Sequence, residues 1–147
     1  MYTNILVATN GDDLSHKAVA SGIDLAALTG AALYVVKVVP HYARSYFEGS
    51  IPVSMDDSAR IEQQWLDEGK LVVDGYKAEA VAKGVNVHTV VVQSDLVAEG
   101  IISAATKYSA DLIIMASHGR KGIKRLLLGS ETQHVLTHSH TPVLVLR

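Results

Sequence analysis

The sequence predicts an α/β protein: a three-layer sandwich in which helices cover both faces of a five-stranded parallel sheet. Two features predict it. Short apolar runs rich in β-branched residues alternate strictly with amphipathic stretches, as in parallel sheets joined by right-handed crossovers. The runs are also apolar throughout, which is typical of strands buried on both faces. The chain has 147 residues, close to the common domain size of about 100–150 residues. We therefore expect one domain over residues 1–147.

Five apolar runs mark the predicted strands. They span residues 5–8, 32–39, 85–92, 112–115 and 143–146. Ligands of open parallel sheets bind beyond the carboxyl ends of such strands, near the point where the strand order reverses. The segments after these runs are therefore where binding residues are expected.

Four amphipathic stretches predict helices, in which apolar side chains recur every three or four residues. They span residues 13–29, 55–83, 95–108 and 130–138. Gly30 and Gly84 are expected to end the first two helices. Ser94 and Ser130 are candidate N-caps for the last two.

Composition excludes several classes of protein. The chain has no cysteine, so disulfides, thiolate metal sites and cysteine nucleophiles are excluded. A formal charge of −2 argues against a nucleic-acid partner, which requires a basic excess. No apolar stretch approaches the ~20 residues that cross a bilayer, so no membrane partner is expected. The N-terminus has no basic region or cleavage-like site, and a cytoplasmic location is the expectation.

The segment from residue 112 to residue 130 is the strongest candidate for a binding site in the sequence. It leaves a predicted strand, passes a glycine-containing loop with Arg120, Lys121, Lys124 and Arg125, and reaches a helix at Gly129-Ser130. Glycine lets backbone approach a ligand, and helix N-termini attract anions. A plain turn and N-cap beside a solvated basic surface is the alternative. The segment is not a Walker A loop, and no G-x-G-x-x-G follows the first strand.

This chain resembles the universal stress protein family over essentially its whole length. The resemblance rests on residues 4–8, on Val-Val-Pro at 38–40, on residues 117–130 and on residues 141–146. The ATP-binding branch of that family has the pattern G-x2-G-x9-G-[S/T]. Ala116, Gly119, Gly129 and Ser130 occupy its four fixed positions, with alanine replacing the first glycine.

The resemblance implies a UspA-like domain with an adenine nucleotide alpha hydrolase-like, Rossmann-like fold and strand order 3-2-1-4-5. It implies an ATP-binding regulatory protein of the stress response that forms a homodimer through the C-terminal edge strand. The ligand would be ATP with or without Mg²⁺, or AMP or ADP. Two alternatives stay open: a nucleotide-free dimeric interaction module, and a slow ATPase or phosphotransferase. The sequence identifies no protein partner.

The resemblance also implies roles for single residues. Phosphates would contact Gly119, Gly129 and Ser130, and the backbone near Ala116 and Ser117 would approach the ribose and α-phosphate. Backbone at Val38 would meet the adenine edge. Asn10 stands where the family usually has an aspartate that touches the nucleoside. The remaining residues of the implied nucleotide site adjoin these: Thr9, His118 and Glu131.

Other polar residues have ordinary explanations beside functional ones. His134 and His138 share a helical face with His140 just beyond, a spacing that can bind metal, but imidazoles also complement a helix C-terminus. No carboxylate completes a clear set, so no metal site is predicted. Asp12 or Asp13 is expected to cap a helix rather than bind Mg²⁺. No catalytic residue is predicted, because adjacent Ser117 and His118 rarely orient for proton transfer.

One long irregular segment separates the second strand from the second helix. It contains Tyr42, Tyr46 and Phe47. These aromatic residues could form a lid over a nucleotide base or pack as a loop against the sheet. The sequence leaves both explanations open.

Overall fold

The computed structural model describes residues 1–42, 55–118 and 128–147. The strands are β1 (Asn4–Ala8), β2 (Ala32–Val39), β3 (Val87–Gln93), β4 (Leu112–Ala116) and β5 (Val143–Leu146). The helices are α1 (Asp13–Thr29), α2 (Met55–Asp74), α3 (Lys77–Ala82), α4 (Val97–Lys107) and α5 (Ser130–His138). All strand pairs are parallel, in the order β3-β2-β1-β4-β5. The predicted fold class and strand order are confirmed.

The hydrophobic core lies on both faces of the sheet. Successive strand residues point to opposite faces, so in β1 Ile5 and Val7 face one cluster and Leu6 faces the other, each with 0% exposure. The first cluster includes residues of α1, α2 and α3, and the second includes residues of α4 and α5. Burial on both faces explains why the central strands read as continuous apolar runs.

The prediction of one helix over residues 55–83 is wrong, because the chain turns at Gly75 and Tyr76 between α2 and α3. The turn buries Tyr76 to 8% exposure. The periodic pattern continues across the break and so concealed it. The third strand, predicted from residue 85, begins only at Val87. The amide of Val85 instead donates to the carbonyl of Ala80 in α3, at 3.0 Å.

The helix caps confirm some predictions and correct others. Asp12 caps α1, accepting a hydrogen bond from the Ser15 amide at 2.8 Å, and Gly30 ends it with φ of 77°. Ser94 is not an N-cap, because its hydroxyl bonds to the backbone of Leu96 before α4 begins. The N-cap of α5 is Gly129. Ser130 is therefore the first helical residue rather than the cap.

Among the described residues, no helix combines the length and apolarity needed to cross a bilayer. Several predicted residues lie outside the described ranges. They are Tyr46, Phe47, Gly119 and the four basic residues between 120 and 125.

Candidate functional site

A crevice is expected where the strand order reverses, between the carboxyl ends of β1 and β4. After β1 the chain passes to β2 on one side, and after β3 it returns to form β4 on the other side. Thr9 and Asn10 follow β1, and Ser117 and His118 follow β4. The fold thus brings together, at the carboxyl ends of the strands, two segments that are 108 residues apart in the sequence.

The β1 end of the crevice is held by hydroxyl groups. The amide of Gly11 donates to Thr9 Oγ1 at 3.1 Å, and Thr9 Oγ1 donates to Ser15 Oγ at 3.0 Å. Ser15 Oγ in turn lies 3.0 Å from Asn10 Oδ1. Thr9 and Ser15 are 6% and 3% exposed, whereas Asn10 is exposed. The Thr9 hydroxyl therefore supports the loop from inside, and the Asn10 side chain is the accessible group.

Tyr76 and His16 lie beside this network, and sequence reasoning missed both. His16 Nε2 lies 3.1 Å from the Gly11 carbonyl oxygen, which can only accept, so Nε2 carries the proton. In the neutral imidazole Nδ1 is the acceptor, so the Tyr76 hydroxyl, 3.0 Å away, is the donor. Burial raises the pKa of Tyr76, which keeps it a donor. A tyrosine in an apolar stripe was the available signal, since a buried tyrosine hydroxyl usually has a polar partner.

The end of β2 extends past the end of β1. Their last paired residues are Ala8 and Val36, and the Val36 carbonyl accepts from the Thr9 amide at 2.9 Å. Backbone groups of alternate residues in a strand point to the same side. The N–H and C=O groups of Val38 therefore point beyond the end of β1, towards the crevice. The N–H group can donate, and the C=O group can accept, a hydrogen bond with the edge of a planar ligand.

The β4 end is in direct contact with the start of α5. The Gly129 amide donates to the Ser117 carbonyl at 2.7 Å, and the Thr132 hydroxyl donates to the Ala116 carbonyl at 2.8 Å. A Cβ added to Gly129 would lie 3.1 Å from the Cα of His118. The φ of Gly129 is −61°, so close approach, not backbone conformation, favours glycine here.

The first turn of α5 offers donors for an anion. The N-cap, Gly129, has no side chain that could accept from the first amides of the helix, and Ser130 and Glu131 are exposed. The first amides of a helix lack intrahelical acceptors and lie at its positive dipole end. The Ser130 hydroxyl donates to Glu131 Oε2 at 3.1 Å. It would have to turn from that carboxylate to donate to a phosphate.

Ala116, the departure from the glycine pattern, lies in ordinary strand backbone. It pairs with Leu146 in β4–β5. Within the described ranges, the only positive φ outside glycine is at Ser109. Glycine is therefore not required at position 116 for backbone conformation.

The Ser117 Oγ and His118 Nδ1 atoms are 3.1 Å apart, closer than we expected for adjacent residues. In the described part of the chain, no carboxylate contacts the His118 ring to orient it. His134 and His138 stack with ring centroids 4.1 Å apart. No group of three or more histidine, aspartate or glutamate side chains that could hold a metal occurs in residues 1–42, 55–118 and 128–147.

Comparisons with known proteins agree with this geometry. The model of the universal stress protein family matches residues 1–147. The chain is 33% identical to universal stress protein MJ0531 of Methanocaldococcus jannaschii, covering 100% of this chain and 83% of that protein. It is 30% identical to YxiE of Bacillus subtilis, covering 100% of both. The solved structure of MJ0577 superposes with a TM-score of 0.83 at 26% identity, covering 99% and 96%.

Proposed function

We propose, starting from the fact that this chain belongs to the universal stress protein family, that it is an ATP-binding regulatory protein of the stress response. The observation that supports it most is the contact between α5 and the end of β4. There the Gly129 amide meets the Ser117 carbonyl at 2.7 Å. This contact sets the uncapped first turn of α5 beside the crevice, where a phosphate chain would accept from its amides.

In this proposal each part of the nucleotide lies at the end of a different strand. The base lies against the backbone of Val38 at β2, the ribose lies over Asn10 at β1, and the phosphates lie near Ser117 and Ser130. Neighbouring strands are about 4.8 Å apart, so the ends of β2 and β4 are separated by roughly 10 Å, a span that a nucleoside phosphate bridges. Mg²⁺ accompanying ATP would be held mostly by phosphate oxygens and water.

Two solved structures of this fold have nucleotides bound. One is a universal stress protein in complex with cAMP, at 24% identity and a TM-score of 0.66. The other, from Archaeoglobus fulgidus, is in complex with dAMP, at 18% identity and a TM-score of 0.63. These likenesses are of fold, and they support the proposal that a protein of this architecture binds a nucleotide.

Calorimetric titration with ATP, ADP and AMP tests the proposal. ATP binding should release or absorb heat and raise the thermal midpoint, because a ligand that binds only the folded state stabilises it by about 2.7 kcal/mol at 100 times its Kd. Mild purification followed by release and chromatography should also recover adenine nucleotide. No heat at millimolar ATP would contradict the proposal and favour the nucleotide-free interaction module.

We also propose a homodimer through β5. This strand is at one edge of the sheet, and Leu144 on β5 and Leu136 on α5 are 41% and 42% exposed. An apolar edge strand is normally covered or paired. Sedimentation velocity at micromolar concentration should give a dimer, and a strictly monomeric species would contradict it.

A further inference from the structure

The orientation of the Asn10 amide is fixed by a hydrogen bond to its oxygen. Oδ1 accepts from the backbone amide of Asp12 at 3.0 Å, and the Ser15 hydroxyl lies 3.0 Å both from Oδ1 and from the Asp12 carbonyl oxygen. A backbone N–H can only donate, so the Asn10 atom facing it must be oxygen, and the amide cannot be flipped. The NH₂ group of the exposed Asn10 side chain is therefore directed away from this loop.

The neighbouring hydroxyls are compatible with that orientation. The Gly11 amide donates to Thr9 and Thr9 donates to Ser15, so the Ser15 proton points either at Asn10 Oδ1 or at the Asp12 carbonyl oxygen, each 3.0 Å away. A carboxylate at position 10 would accept the same bond from the Asp12 amide and expose a second, charged oxygen. Asparagine exposes a neutral donor instead. The exposed group at this position thus has the opposite hydrogen-bonding character to that of an aspartate.

The place of Asn10 in the sheet determines which part of a ligand it meets. This step rests on the proposed function, with the base at the end of β2 and the phosphates at the start of α5. Strand β1 lies between β2 and β4, so the sugar crosses over β1. The NH₂ group of Asn10 then faces the hydroxyl edge of the ribose.

We propose that Asn10 makes this crevice a binding site for adenine nucleotides that carry a second phosphate on the ribose, at the 2′ or 3′ oxygen. Phosphate oxygens only accept, so the Asn10 NH₂ group donates to them in a charge-assisted hydrogen bond. A carboxylate at the same position would repel the phosphate. Asp12 caps α1 and Asp13 lies in its first turn, so their carboxylates offset the positive end of the α1 dipole, and the preference depends on the hydrogen bond from Asn10.

Calorimetric titration of wild type and Asn10→Asp with AMP, adenosine 2′,5′-bisphosphate and adenosine 3′,5′-bisphosphate tests this inference. Wild type should bind at least one bisphosphate about tenfold more tightly than AMP, the effect of one hydrogen bond to a charged group. Asn10→Asp should lose the bisphosphate preference, measured in each protein as the ratio of the bisphosphate affinity to the AMP affinity. Asn86→Asp is the matched control, because it adds the same charge at an exposed asparagine just before β3, and it should keep the preference.

The outcomes separate this inference from the proposed function. If wild type binds ATP and AMP but binds both bisphosphates no better than AMP, the inference is overturned and the nucleotide site stands. An unchanged preference in Asn10→Asp overturns it equally. If wild type binds no nucleotide at all, the proposed function fails and the inference fails with it.

Discussion

Replacing Gly129 with alanine tests the contact that brings α5 to the end of β4. The new Cβ would lie 3.1 Å from the Cα of His118 and 3.4 Å from the carbonyl oxygen of Ser117. Carbon atoms normally approach to about 3.5–4.0 Å, so the two segments must separate by about half an ångström. Alanine accepts the φ of −61°, so the cost is steric. Mild overpacking of this kind should lower the free energy of unfolding by about 1 kcal/mol.

The same displacement should weaken nucleotide binding more than it weakens the fold. A hydrogen bond to a charged group contributes about 1.5–3 kcal/mol. Losing the geometry of one amide–phosphate bond therefore lowers ATP affinity by about 10- to 100-fold. The assay is calorimetric titration with ATP at a temperature where circular dichroism shows both proteins folded.

A matched control separates local from general destabilisation. Gly22 in α1 is also crowded, since a Cβ there would lie 3.3 Å from Leu33 Cδ1, within the core. In Gly22→Ala this crowding opposes alanine's higher helix propensity, and the variant should bind ATP within about twofold of wild type whatever its change in stability, because its contact lies away from the crevice. If folded Gly129→Ala binds ATP with wild-type affinity, the assignment of the phosphates to the start of α5 is refuted.

Three further predictions concern stability and assembly. The hydrogen bond from the Thr89 hydroxyl, and after it the bond from Lys70, lowers the pKa of Asp74 to about 2. The Asp74 carboxylate therefore stabilises the folded state by about 1 kcal/mol after solvent screening. This contribution is present above about pH 4 and is lost as the pH falls towards 2. Urea unfolding should show a larger loss in wild type than in Asp74→Asn, because Asp95 and Asp111 keep their own lowered pKa values in the variant. Gly100→Ala places a Cβ 2.9 Å from both Val38 methyls and should reduce stability by about 1 kcal/mol despite alanine's higher helix propensity; an unchanged urea midpoint would contradict this packing. Leu144→Lys should give monomers in sedimentation velocity because it charges the β5 edge, and an intact dimer would place the interface elsewhere.

The elements predictable from the sequence are those whose pattern arises from burial alone. Strands β1 and β4 are covered on both faces, so each appears as an unbroken apolar run. Their carboxyl ends also indicated where the crevice lies. The break at Tyr76 could not be predicted in this way, because α2 and α3 continue one amphipathic pattern. The bond from its hydroxyl to His16, at 3.0 Å, joins residues 60 positions apart.

The candidate site was likewise only partly predictable from the sequence. Glycine and serine at 129 and 130 are visible as residue types, but the cap position depends on where the chain turns, and it falls one residue before Ser130. The direction of the Asn10 amide depends on the turn that brings the Asp12 backbone amide to within 3.0 Å of its oxygen. Residue identity thus suggested candidate roles, and tertiary contacts determine which atoms each residue presents.

The substitution at Ala116 is better understood by comparing it with Gly129. Ala116 continues β4, pairs with Leu146, and its carbonyl accepts from the Thr132 hydroxyl at 2.8 Å. Its backbone conformation is therefore one that any residue adopts. At Gly129 a Cβ would come within 3.1 Å of backbone, so the two positions differ in physical requirement. Alanine at 116 is compatible with the phosphate site proposed for α5, whereas a side chain at 129 displaces the helix that forms it.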